Sequence, residues 1–206
     1  MKLKFVAGIS LLLICAAFAQ SPSRTTAPQP VPTPSSVPGS SLGCLTAGMA
    51  EQECQANKID CWKFQATGDF NATIVKALLA IAPALPIRAA IYSDNNGVPG
   101  DLLVSSIEIA EPKAGWAKFK LPYSLLIVGG TNYWIALNSG LPYTLKCETS
   151  NGISMSIDNF YGPWPQSLST AQGLQNTVKA SINAIQAGPV IPQPSPTPAP
   201  SATTQP

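Results

Sequence analysis

IYSDNNGVPGDLL, residues Ile91 to Leu103, sets two aspartates, two asparagines and two glycines between apolar runs. The run PIRAAIYS leads in and LLVSSIEIA leads out, both carrying β-branched and apolar residues, so Asp94-Asn95-Asn96-Gly97 falls where two strands must reverse. Asn and Gly accept positive φ, and Pro99 restricts the way out, so turn chemistry accounts for the composition. A calcium loop would have a similar set of oxygens. Such a site wants about 6 to 8 of them, and the stretch lacks the acidic residue that closes an EF-hand set, so no metal is expected here.

The same alternation extends outward from this hairpin. In GISMSIDN, Ile153, Met155 and Ile157 alternate with Ser154, Ser156 and Asp158. In YTLKCET, Tyr143, Leu145 and Cys147 alternate with Thr144, Lys146 and Glu148. WAKFKL sets Ala117, Phe119 and Leu121 against Trp116, Lys118 and Lys120. Period 2 places one set on a core face and the other in water. Further strands read at CWKFQAT, ATIVKALLAIA, TNYWIALNS and VKASINAIQ, each bounded by Gly, Pro, Asn or Asp. About nine short strands with turns between them predict an all-β, antiparallel β-sandwich. One segment departs from this pattern: TAGMAEQECQANK, rich in Ala, Glu and Gln, is expected to form a short helix before the first strand.

At the N-terminus, Lys2 and Lys4 precede an apolar run from Phe5 to Phe18 that ends on Ala17-Phe18-Ala19, the pattern of a secretory signal over residues 1–19 cleaved before Gln20. The run is shorter than the roughly 20 residues a spanning helix needs. Residues 20–42 and 189–206 are rich in Pro, Ser and Thr, hold one charge, Arg24, and lack aromatic residues. They are expected to be disordered, stiff and solvated spacers, with Ser and Thr available for O-linked sugar. Between them lie a cysteine-bearing segment, 43–60, and the sandwich domain, 61–188.

Charge and cysteine content narrow the function. The chain has 12 Lys plus Arg and 10 Asp plus Glu, and loss of Lys2 and Lys4 with the signal leaves it formally neutral. That balance argues against binding nucleic acid or anionic lipid. Cys44, Cys54, Cys61 and Cys147 remain after cleavage, and in an oxidising compartment two disulfides are expected. Each of the three connectivities ties Cys147 to an N-terminal cysteine, closing a loop at least as long as Cys61 to Cys147, worth roughly 4 to 5 kcal/mol by chain entropy. The parity of the strands speaks against a Cys61–Cys147 bond. The spacing lacks a paired C-x-x-C knuckle for zinc.

The succession IYSDNNGVPGDLL, AGWAKFKL, GGTNYWIAL and YGPWP resembles a family of extracellular β-sandwich modules of bacterial and archaeal secreted and surface proteins. The resemblance covers roughly Cys61 to Gln186. It implies a jelly-roll-like accessory module, similar in architecture to carbohydrate-binding modules, with no cofactor.

Histidine is absent from the chain, which excludes a Ser-His-Asp triad, a Cys-His pair and a histidine zinc site. A glycosidase-type carboxylate pair would have to come from Asp94, Asp101, Glu108, Glu111, Glu148 and Asp158, most of them in turns or on polar faces. The favoured role is therefore non-catalytic binding of a polysaccharide or cell-surface glycan, outside the cell. Trp62 and Trp134 are expected in the core. Tyr161 and Trp164, on a Gly/Pro-held loop, and Trp116, beside Lys118 and Lys120, are the candidate sugar-stacking residues. The alternatives are a structural or adhesive spacer without a small-molecule ligand and, further off, a glycoside-active enzyme.

Overall fold

The computed structural model describes residues 39–149, 152–169, 174–176 and 178–186; the signal expected at 1–19, most of the linker at 20–42, and the tail at 189–206 lie outside the described residues. In chain order the strands are β1 (Leu42–Gly43), β2 (Ala50–Cys54), β3 (Lys58–Gln65), β4 (Phe70–Ile81), β5 (Ile87–Asn95), β6 (Val98–Ser105), β7 (Gly115–Ile127), β8 (Asn132–Ser139), β9 (Tyr143–Glu148), β10 (Ile153–Asp158), β11 (Leu174–Asn176), β12 (Lys179–Ala180) and β13 (Ile182–Ile185). Among the described residues there is no helix, and every pairing is antiparallel.

Two sheets result. The seven-stranded sheet runs β1-β13-β4-β9-β12, with β7 on β4 and β2 on β9. The six-stranded sheet runs β11-β10-β3-β8-β5-β6. Alternate side chains of the two meet in one apolar cluster: Val75, Phe119, Leu145 and Ile182 from the first, Trp62, Ile91, Ile135 and Leu137 from the second. A second cluster covers the other face of the six-stranded sheet, where Ile59, Cys61, Tyr92, Trp134 and Met155 pack beneath Trp164 and Leu168. That sheet is buried on both sides. Such strands read as near-continuous apolar runs, which is the character of PIRAAIYS and NYWIALNS.

The hairpin of Ile91–Leu103 explains the register. β5 and β6 run up to Asn95↔Val98, leaving Asn96 and Gly97 as a two-residue turn with φ of 52° and 94°. Positive φ at both positions is the type I′ arrangement, whose twist matches that of the flanking strands. Below the turn, Asp94 collects three donors. Trp134 Nε1 donates to it at 2.8 Å, the Gly97 amide at 3.2 Å, and Lys63 Nζ lies 3.0 Å away. Burial of Trp134 requires an acceptor for its indole N–H, and the turn aspartate provides it. With its oxygens so engaged, Asp94 serves the fold, in keeping with the reading of this stretch as a corner.

Three sequence expectations are corrected. The segment expected to be helical contains β2, whose residues pair with β9 from Ala50↔Cys147 to Cys54↔Tyr143. Five ladder positions and the bond from Trp62 Nε1 to Gln52 Oε1, 3.1 Å, outweigh the modest helix propensity of Ala, Glu and Gln. The linker ends before Leu42, which is fully buried in β1 against β13. The four cysteines are unpaired. Cys61 lies in the outer cluster, whereas Cys44 and Cys54 lie in the cluster between the sheets. Cys54 and Cys147 share a sheet but stand opposite Tyr143 and Ala50, four ladder positions apart. That is about 13 Å at roughly 3.3 Å per residue, beyond the ~7 Å Cα limit for a disulfide.

Candidate functional site

Tyr161 and Trp164 are brought together by Arg88. The loop after β10 folds over the outer face of the six-stranded sheet, held by Leu102 N–H to Gln166 O, 2.8 Å, and Leu168 N–H to Gly100 O, 2.9 Å. Trp164 is 8% exposed and meets Tyr92 edge-on, with ring centroids 6.2 Å apart. The Arg88 guanidinium sits 4.7 Å from the Tyr161 ring and 4.8 Å from the Trp164 ring, a cation held between two π faces. Its Nη2 donates to Asn138 Oδ1 at 3.3 Å, and the Tyr161 hydroxyl donates to the Glu108 carboxylate. Burial lowers the Arg88 pKa. Burial first, and then the Glu108 carboxylate, raises that of Tyr161. The group closes the loop onto the sheet and leaves Trp164 no open ring face for a sugar.

Trp116 lies elsewhere, on the outer face of the seven-stranded sheet. In β7, Ala117 and Phe119 point to the interior, so Trp116, Lys118 and Lys120 point out. Pairing with β4 sets Lys76 opposite Lys118 and Leu78 opposite Trp116, and pairing with β13 sets Asn183 on the other side of Lys76. Three adjacent strands thus present one surface. Trp116 is 38% exposed, and a groove of about 400 Å³ runs beside it, lined by Leu45, Lys76, Trp116, Lys118, Asn183 and Ile185. Asn183, 2% exposed, donates from Nδ2 to Cys44 O at 3.0 Å, and its Oδ1 accepts no hydrogen bond. The groove therefore combines an aromatic face, two ammonium groups and an unsatisfied amide acceptor.

Phe160, missed by sequence reasoning, is the most exposed aromatic of the described residues at 83%, beside a shallow pocket of about 290 Å³ with Asn57, Asp158 and Asn159. Its one sequence signal was its place in the loop stretch DNFYGPWPQ. The candidate carboxylates are dispersed. Asp94 pairs with Lys63, Asp158 with Lys58 at 3.1 Å and Glu148 with Lys179 at 3.2 Å, while Glu108 bonds Tyr161. Among the described residues no group of three or more His, Cys, Asp or Glu could hold a metal.

Asp60 is the one deeply buried carboxylate of the described residues. It accepts from Tyr143 at 3.1 Å and from Ser156 at 2.7 Å, linking β3 of one sheet to β9 of the other. Burial raises its pKa despite these donors. Burial, and then the Asp60 charge, push the Cys54 and Cys61 thiols far up, which keeps them protonated and poorly nucleophilic.

No family model, no curated protein and no solved structure matches the chain. No helix of the described residues is long and apolar enough to cross a membrane.

Proposed function

We propose that the chain is an exported, non-catalytic β-sandwich module of jelly-roll type that binds a carbohydrate polymer on the outer face of its seven-stranded sheet. The groove beside Trp116 carries this reading. Sugar rings stack their C–H faces on an exposed aromatic plane while nearby amides and cations take the hydroxyls, and strands β13, β4 and β7 set those groups side by side. The fold needs no contribution from an outward-facing indole at this position, since Phe119 and Ala117 fill the interior. The signal expected at residues 1–19 and the motif likeness to extracellular accessory modules support an external polymer as the partner.

The test is retention on a panel of insoluble and soluble polysaccharides, comparing the processed chain with Trp116→Ala and Trp164→Ala. On this reading Trp116→Ala loses at least about 10-fold in affinity, roughly 1.4 kcal/mol, for the polymer retained. The change should leave the unfolding midpoint in place. Trp164→Ala, which opens the outer cluster, should lower the midpoint and leave affinity unaltered below it. Equal retention of wild type and Trp116→Ala would refute the placement, and no retention on any polymer would favour a spacer.

A further inference from the structure

We infer that the polymer bound beside Trp116 is anionic, its charge carried by uronate carboxylates or sulfate esters. The inference rests on the carbohydrate reading of this face and adds the chemical class.

The chain's neutral balance conceals an uneven distribution. At one end of the outer face the lysines are neutralised within the protein: Lys146 Nζ lies 2.7 Å from Glu51 and Lys179 Nζ lies 3.2 Å from Glu148. At the other end Lys76, Lys118 and Lys120 form no ion pair among the described residues. Two of them, Lys76 and Lys118, stand directly opposite each other across β4 and β7. Like charges at opposed positions destabilise a sheet. Here the cost stands uncorrected on the wall of the groove, next to the exposed indole. A ligand bringing negative charge removes that repulsion. Lys120, two residues beyond Lys118 and about 7 Å along the strand, extends the positive row beyond the groove. An extended polyanion with charges at intervals fits such a row better than a single small anion.

The second observation is Asn183. Its Oδ1 is buried, unpartnered and on the groove wall, and it lies against Lys76 across the β13–β4 ladder. An acceptor left without a partner on the groove wall is completed by a ligand that brings a donor, and a sugar hydroxyl is one. A ligand with both hydroxyls and anionic groups satisfies Asn183 and the lysines together, which a neutral glycan or a bare anion does not.

The experiment compares polygalacturonate with its fully methyl-esterified form, which has the same backbone without the charge, and adds dextran sulfate to separate carboxylate from sulfate. Binding of the processed chain is followed by affinity electrophoresis, beside Trp116→Ala and the double variant Lys76→Gln/Lys118→Gln. Expected are at least about 10-fold tighter binding to an acidic polymer than to the ester, and a several-fold loss between about 50 and 300 mM salt. The double variant should lose most of the acidic preference while melting no lower than wild type, because it removes a repulsion. Equal binding to acid and ester forms, or an unchanged preference in the double variant, overturns the inference. If the wild type binds both forms equally and Trp116→Ala abolishes both, the proposed function stands and the anionic class fails. If the lysine variant loses binding and Trp116→Ala does not, the surface is a charge patch and the carbohydrate reading fails with it. Tighter binding to phosphatidylserine vesicles or single-stranded DNA than to any acidic glycan also overturns the inference.

Discussion

Replacing Asp94 with alanine tests whether the corner at Ile91–Leu103 is held by one side chain. The substitution strands three donors at once: Trp134 Nε1, the Gly97 amide and the Lys63 ammonium. Hydrogen bonds to a charged group contribute roughly 1.5 to 3 kcal/mol each, and removing one partner of a buried ion pair costs about 3 to 5 kcal/mol in all. The Lys63 and Asp94 side chains keep 17% and 15% of their surface exposed, so water recovers part of the loss. We take about 4 kcal/mol. In urea, with a slope near 2 kcal/mol/M for a domain of this size, the midpoint should fall by about 2 M at unchanged slope. Asp94→Asn, able to accept from Trp134 but without the charge, should lose about half as much. Adding Lys63→Met to Asp94→Ala should recover part of the stability, because it removes the isolated ammonium. A shift below about 0.5 M for Asp94→Ala would refute the reasoning and return the hairpin to backbone turn chemistry alone.

Two further outcomes follow from buried groups. Asp60 has a raised pKa in the folded chain, so the native state holds a proton that the unfolded state releases, and stability falls as pH rises through the raised value. Asp60→Asn should therefore flatten the change in melting temperature between about pH 4 and 7 and be at least as stable as wild type at neutrality; parallel melting curves at every pH would contradict this. The processed chain should yield four reactive thiols with a disulfide-exchange reagent in denaturant, and in the native state Cys54 and Cys61 should react far more slowly. Finding no thiols in denaturant would show the cysteines oxidised and the unpaired arrangement wrong.

The nine strand segments were legible because each is an alternating or near-continuous apolar run bounded by turn residues, and each falls on a strand, although LLVSSIEIA meets β6 only over Leu102–Ser105, WAKFKL is the first half of a longer β7, and VKASINAIQ divides into β12 and β13 at Ser181. β2 was not, since Ala50, Glu51, Gln52 and Glu53 favour a helix when isolated, and only pairing with a strand some ninety residues later makes them extended. β1 escaped because Leu42 is one apolar residue at the end of a Pro/Ser stretch, too little for any periodicity. The candidate site was half legible. The faces of Trp116, Lys118 and Lys120 follow from parity along one strand, and the indole is partly exposed as parity implied. Lys76 and Asn183 join them only through registers across β4 and β13, which no local pattern encodes. The loop aromatics show the converse limit. Proline and glycine around Trp164 marked a loop but not the apolar sheet face of Tyr92 and Trp134 beneath it.

The pairing of β1 with β13 sets Leu42 opposite Ala184 in antiparallel sense, so the chain arrives at and leaves this ladder from the same end. Tension applied through those two points would act across the strands and peel their hydrogen bonds one after another, instead of loading them together in shear. A body tethered this way yields at low force. Joined into a longer polypeptide, it would behave as a cassette hanging from a single corner, better suited to carrying a gripping surface than to bearing a mechanical load.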